Sequence, residues 1–299
     1  MKSLFDRLHF KKSKPKPAPI NVETNPLSSE QLGLELKLDS RIEPQQLVFG
    51  CGQSVGKQRE HNEDSLFVFS AATGGEINTA PLGLFVIADG MGGHQYGEVA
   101  SSTAVRTIGN YLLKRFHPYL INPSEGMEEP LQEMMLAAIT EAQQAVTQTA
   151  PGSGTTLTAA LVLGQQMTIG HVGDSRAYSI RTDGRIDVIT RDHTLVKRLE
   201  ELGQISSGEA AAHPQRNVLY RAVGQGEFLE PDIFTTPFPQ PGYLLLCSDG
   251  LWGVLPDDTI NNLVAGAVNL HGACQSLLTA ANDAGGPDNI SAILVQLIG

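Results

Sequence analysis

The sequence predicts an α+β protein of layered sheets with helices outside, not a doubly wound parallel sheet. Three strand-like runs succeed one another before the first helical pattern, helical patterns come in pairs, and a second series of strands is joined by short turns. There is no βαβ rhythm and no internal repeat.

Leu47 to Val55, Ser65 to Ser70 and Leu82 to Ala88 are the first strand candidates. The third contains Leu84-Phe85-Val86-Ile87-Ala88, a continuous apolar run that reads as a buried strand. Two helices follow. Glu98 to Phe116 sets Ala104, Ile108, Tyr111 and Leu112 at helical spacing, and Leu131 to Thr149 does the same with Leu131, Met135, Ala138, Ala142 and Ala145. Met134 and Met135 read as core filling. Thr155 to Leu163, Met167 to His171, Ala177 to Arg181 and Ile186 to Thr190 are strands again. Gly164-Gln165-Gln166 and Thr182-Asp183-Gly184 are their turns, the latter with an Asp-Gly hairpin signal. A short charged helix over Leu195 to Gly203 leads into a long polar stretch, Gln204 to Asn217, of a kind that is often functional. Tyr243-Leu244-Leu245-Leu246-Cys247 is another buried strand, with Cys247 a small hydrophobe within it. Helices near Asp257 to Ala265 and Gly272 to Ala284 precede a last strand, Ile290 to Ile298.

Five acidic segments stand at the edges of these strands: Asn62-Glu63-Asp64-Ser65, Asp89-Gly90-Met91-Gly92-Gly93, Gly173-Asp174-Ser175-Arg176, Ser248-Asp249-Gly250 and Pro287-Asp288-Asn289. A carboxylate at the end of a buried strand is costly unless its charge is compensated. Two of them ~4 Å apart repel by about 4 kcal/mol at an effective dielectric of about 20, so several together require a cation. Oxygen donors without His or Cys suit hard ions such as Mg²⁺, Mn²⁺ or Ca²⁺. The segments read as one multi-carboxylate metal site.

Length alone, 299 residues, is compatible with two domains, but acidic segments running from Asp64 to Asp288 place both ends of the folded region in one. The net charge of −11 excludes nucleic acid as the partner of the body of the protein. Residues 1–20 carry a net +5, which leaves −16 for the rest. Three cysteines, Cys51, Cys247 and Cys274, at unrelated spacings indicate neither a zinc site nor a disulfide framework. No apolar stretch is long enough for a membrane span, and the N-terminus lacks the apolar core of a signal peptide, so a cytoplasmic location is expected. Residues 1–46 read as a basic, Pro/Lys-rich flexible tail, because the prolines of Lys14-Pro15-Lys16-Pro17-Ala18-Pro19 deny it a helix or a central strand. Within it, residues 2–12 read either as a basic amphipathic turn carrying Leu4, Phe5 and Leu8 or as disordered chain. Residues 47–299 form the expected folded domain.

Six segments then occur in order: Arg59-x-x-Asn62-Glu63-Asp64, Asp89-Gly90-Met91-Gly92-Gly93-His94, Ser153-Gly154-Thr155-Thr156, His171-Val172-Gly173-Asp174-Ser175-Arg176, Leu246-Cys247-Ser248-Asp249-Gly250-Leu251-Trp252 and Gly286-Pro287-Asp288-Asn289. Each alone is a weak signal. Together they resemble the metal-dependent (PPM, type 2C) Ser/Thr protein phosphatases, in particular their compact bacterial members, over residues 47–299. The resemblance implies a four-layer α/β/β/α sandwich, two antiparallel sheets flanked by helix pairs. It also implies hydrolysis of phosphoserine and phosphothreonine by water activated at a two-metal centre of Mn²⁺ or Mg²⁺, with a third, weaker ion. Asp89 bridges the metals in that scheme, with the Gly90 carbonyl on the second ion, Asp249 and Asp288 completing the first, and Asp64, alone or with Glu63, holding metal-bound water or the second ion. Asp174 matches the ligand of the third.

Arg59 corresponds to the residue that contacts substrate phosphate, a task suited to its forked guanidinium. His94 departs from the family pattern. Some members carry a His directly after Asp-Gly as the proton donor, whereas here Met91 stands there. His94 is therefore either a functional group beside the centre or a structural residue. His171 and His193 read as satisfied structural histidines. The stretch 204–217 matches a flap beside the metal site, and Arg216 and Arg221 are either phosphoprotein contacts or ion-pair partners. The expected partners are phosphorylated proteins and a cognate Ser/Thr kinase, with the enzyme itself a monomer. The alternative, a non-catalytic member that binds a partner through the same scaffold, sits poorly with the retention of every expected carboxylate. A bound ATP is excluded by the lack of a Gly-x-x-x-x-Gly-Lys loop. No Gly-x-Ser-x-Gly elbow or Cys-Arg phosphatase loop is present either, and direct attack by water needs none.

Overall fold

The computed structural model describes residues 44–73, 80–92, 96–122, 129–226 and 228–299. β1 (Gln46–Ser54), β2 (Asp64–Ala71) and β3 (Leu82–Met91) precede the helices α1 (Tyr96–Ile121) and α2 (Leu131–Thr149). Next come β4 (Gly154–Thr155), β5 (Leu157–Leu163), β6 (Gln166–Val172), β7 (Arg176–Arg181) and β8 (Ile186–Val188), then the short helices α3 (Leu195–Glu201) and α4 (Ser207–Ala211). β9 (Asp232–Pro237), β10 (Gly242–Cys247), α5 (Asp249–Trp252), α6 (Asp257–Ala265), α7 (Leu270–Asp283) and β11 (Ile290–Ile298) follow.

Two antiparallel sheets form, one in the order β1-β11-β10-β7-β8, the other β2-β3-β5-β6-β9 with β4 on the end of β3. The continuous apolar runs become strands because side chains alternate between faces and both faces are covered. In β3, Leu84, Val86 and Ala88 pack under α1 and α2, while Phe85 and Ile87 point between the sheets. In β11, Ala292 and Leu294 pack under α6 and α7, while Ile293, Val295 and Leu297 join the central layer. Three apolar clusters, one between the sheets and one beneath each helix pair, give the four-layer α/β/β/α sandwich.

Three departures from the expected elements have local causes. α1 runs past Phe116 through Pro118 to Ile121, because a proline near an exposed helix end forfeits only one backbone bond. β9 was not expected: it is short, half-exposed and ends in Pro237, yet it pairs along β6 from His171↔Asp232 to Gln166↔Pro237 as an edge strand. α4 lies inside the expected polar loop and carries a capping box, Ser206 and Glu209, a signal present in the sequence.

Replacing Phe85, fully buried in the inter-sheet layer, by Ala is expected to cost about 3–5 kcal/mol of stability, measured as a shift in denaturant midpoint at unchanged slope.

Candidate metal centre

The acidic segments converge because the strand ends do. Asp64, the first residue of β2, lies opposite Asp89 in the β2–β3 register. Asp249 stands two residues past the β10 end, where Cys247 pairs with Ala292 near the start of β11, and Asp288 stands two residues before β11. Asp174 lies in the turn by which the chain leaves β6 in one sheet for β7 in the other. All five carboxylates gather at one end of the sandwich.

The motifs without carboxylates hold those that have them. Asp89 N–H donates to Thr156 Oγ1 (2.8 Å), and its carbonyl accepts from Thr155 Oγ1 and Thr156 N–H, both at 2.8 Å. Thr156 Oγ1 meets Ser175 Oγ at 2.7 Å, joining the Asp89 strand to the Asp174 turn. Gly173 in that turn has φ +104°, and a Cβ there would sit 2.6 Å from Thr156 Cγ2. Trp252 Nε1 donates to the Asp174 carbonyl (3.0 Å), while Arg176 stacks on the Trp252 ring at 3.5 Å and pairs with Asp192 at 2.7 and 3.0 Å.

Asp64 ties the sheets together. Its Oδ2 accepts from Ser248 Oγ at 2.8 Å and Ser291 Oγ at 2.7 Å, both from the opposite sheet. Its Oδ1, and Oδ1 of Asp249, are buried with no hydrogen-bond partner. Burial first, then the charges of Asp64, Asp249, Asp174 and Asp288, raises the Asp89 carboxyl well above the usual range. Asp174 is raised by burial and by Asp249 and Asp192. Asp249 is raised by burial and Asp288, partly offset by a hydrogen bond shared with Asp89. Such a cluster either takes up protons or takes up a cation. Two orphaned buried oxygens in an all-oxygen donor set fit a divalent ion. Among the described residues no three acidic, His or Cys side chains are placed to hold an ion on their own. Water and backbone carbonyls such as that of Gly90 would have to complete the coordination, as hard hydrated ions permit. Gly90 also approaches α1 so closely that a Cβ would lie 2.1 Å from the Gly97 carbonyl oxygen.

Arg59 lies beside the cluster, its Nη2 2.7 Å from Asp288 Oδ2 in a half-exposed pair. Glu63 lies next to them, its carboxyl raised by burial and lowered by Arg59. His94 falls outside the described residues. His171 and His193 are buried and bonded: His171 to Thr158 Oγ1 and the Arg191 carbonyl, His193 to the Gly173 amide and Asp232. Arg221 pairs with Asp232 and Glu230, whereas Arg216 lines a cavity of about 850 Å³ running from Asp174, Asp249 and Asp288 to α3 and α4.

A profile described as "Protein phosphatase 2C" matches residues 51–266. The chain belongs to the protein phosphatase 2C family. It is 35% identical over 242 residues to the "Serine/threonine phosphatase stp" of Listeria innocua, covering 81% of this chain and 92% of that protein. It is 32% identical over 254 residues to "Protein phosphatase PhpP" of Streptococcus pneumoniae, covering 81% and 94%. The solved Mycobacterium tuberculosis serine/threonine phosphatase PstP/Ppp superposes with TM-score 0.71 at 32% identity, over 85% of this chain and all of that one. A second structure, the catalytic domain of PstP "in complex with 2 Manganese ions", superposes with TM-score 0.67 at 29% identity, over 85% and 100%.

In this member of the 2C family the sequence motifs pointed to the carboxylates, and the structure adds their hydroxyl supports, Thr155, Thr156, Ser175, Ser248 and Ser291, together with the Arg176–Trp252 stack. Their proximity in sequence to the acidic motifs was the available signal. No helix among the described residues is long and apolar enough to cross a membrane.

Metal-free stability should depend on pH through the buried carboxylates. Burial and the neighbouring charges of Asp249 and Asp288 push Asp64 up to about 7, from an ordinary value near 3.8. A raised folded-state carboxyl binds protons that the unfolded chain has released, so stability falls as pH rises across that interval. In EDTA the protein is expected to be more stable at about pH 6.5 than at about pH 8, by about 1 kcal/mol or more, with Mn²⁺ abolishing the difference in thermal unfolding.

Proposed function

We propose that this 2C-family protein is a metal-dependent Ser/Thr protein phosphatase in which water attacks the phosphoester directly. The carrying observation is the carboxylate cluster with two unpartnered buried oxygens, open to a cavity. Manganese in a related solved phosphatase supports Mn²⁺ or Mg²⁺ as the ion.

Asp89, the Gly90 carbonyl, Asp249 and Asp288 would hold the two core ions, Asp64 would orient coordinated water, and Asp174 would serve a third, weaker site. Bound there, paired divalent ions lower the pKa of water and offset phosphoryl charge during in-line displacement. The water oxygen bonds to phosphorus as the bond to the Ser or Thr oxygen breaks, and that oxygen takes up a proton. His94 is the candidate donor. Arg59 faces the phosphoryl oxygens once released from Asp288, an exchange made easy because a half-exposed ion pair is worth no more than about 1 kcal/mol. The cavity beneath α3 and α4 takes the chain flanking the phosphoresidue.

The substrates are phosphorylated proteins, including those of a cognate kinase. One chain supplies every candidate ligand, so a monomer suffices for the proposed chemistry. Three free cysteines favour the cytoplasm. The tail expected over residues 1–46 is proposed to supply nothing to the chemistry; residues 1–43 of it lie outside the described residues, and Gln46 already opens β1.

Activity on an aryl phosphate should vanish in EDTA and return with Mn²⁺; full turnover in metal-stripped protein would overturn the mechanism. Asp89→Asn is expected to lower kcat by about 10²-fold or more at an unchanged fold, checked by circular dichroism beside steady-state kinetics. Deleting residues 1–45 should leave kcat and KM for a phosphopeptide within about twofold, and a folded but inactive truncation would make the tail part of the catalytic unit.

A further inference from the structure

We infer that Asn289 is the positioning residue for Arg59, setting the loop that carries the guanidinium and thereby substrate affinity. The inference rests on Arg59 being the phosphate contact. Asn289 is 4% exposed and follows directly on Asp288, the partner of Arg59. Its Oδ1 accepts from Glu63 N–H at 2.8 Å, and its Nδ2 donates to the carbonyls of Val55 and His61, both at 2.8 Å. All three contacts lie on the backbone between β1 and β2, two on the far side of Arg59 and one before it.

A neutral carboxamide is the chemistry this demands. One acceptor and two donors on so short a stem are supplied by Asn alone; Asp cannot donate, and Ser carries one hydrogen. The loop is gripped again from the chain just before β11: Lys57 and Gln58 N–H both donate to the Gly286 carbonyl, at 2.8 and 3.2 Å. A Cβ on Gly286, at φ +50°, would lie 2.8 Å from Lys57 N. The Asn289 N–H donates to Asp288 Oδ1 at 2.8 Å, so one residue orients both members of the Arg59–Asp288 pair. The loop makes few other polar side-chain contacts: Lys57 and Gln58 reach only Asp283 and the Gly285 carbonyl, from exposed positions. A short loop whose central cation must meet a phosphate gains from such pinning, because binding energy is otherwise lost to ordering the loop.

The test is a double-mutant cycle with a phosphothreonine peptide and Mn²⁺, comparing wild type, Arg59→Ala, Asn289→Ser and the double variant. Gly286→Ala serves as an independent disturbance of the same loop. Asn289→Ser is expected to raise KM by about tenfold with kcat within about threefold, and to add nothing to Arg59→Ala beyond about twofold. Gly286→Ala should raise KM likewise. An Asn289 effect that multiplies fully with that of Arg59, or one confined to kcat, overturns the inference while leaving Arg59 as the phosphate contact. An unaltered KM in Arg59→Ala overturns both readings. Loss of cooperative unfolding in both the Asn289 and Gly286 variants would assign the amide to folding and overturn the positioning role.

Discussion

Mutual repulsion among buried carboxylates is the constraint around which this protein is arranged. Asp64, Asp89, Asp174 and Asp249 are each held above the usual carboxyl range by burial and by one another. Packing negative charge at the end of two apolar sheets opposes folding, and the surrounding structure answers with fixed donors. Serine hydroxyls from one sheet bond the Asp64 of the other, and threonines hold the Asp89 backbone. What those donors leave uncompensated is the capacity to take up cations.

The sandwich supplies the rigidity that this requires. A one-residue slip of β2 would carry Phe67 and Phe69 from the helix layer into the inter-sheet places of Leu66 and Val68, so side-chain shape fixes the β2–β3 register that sets Asp64 against Asp89. The crossing from β6 to β7 is made through Gly173, which admits a left-handed backbone and a close approach to Thr156. Asp174 is thus delivered by a turn whose geometry the glycine alone permits.

The carboxylates and Arg59 sit side by side but on different kinds of element. The carboxylates stand at or beside strand ends, where hydroxyls and backbone groups hold Asp64 and Asp89, while Arg59 lies on a loop and is half-exposed. The cavity leading away from the acidic end is walled by α3, α4 and the Arg176–Trp252 stack, elements with few buried residues of their own. The two helices can change without disturbing the centre, which suits a surface that meets protein substrates, whereas Trp252 is tied to it through the Asp174 carbonyl.

Much of this was legible in the residues alone. Apolar runs such as Leu84–Ala88 and Tyr243–Cys247 declare buried strands, and acidic motifs at their edges declare an oxygen-ligand metal site, because both signals are local and chemically unambiguous. The edge strand Asp232–Pro237 was not legible: a half-exposed, partly polar segment becomes a strand only when β6 offers its free edge. The assignment of Arg221 to Asp232 and Glu230, and of Arg216 to the cavity wall, likewise depended on which residues the fold brought alongside. The sequence by itself determined the layered fold class and the identity of the carboxylates. Tertiary structure decided which hydroxyls and amides hold them, since Ser248, Ser291 and Asn289 meet Asp64 and the Arg59 loop across about two hundred residues of chain, a distance no local pattern spans.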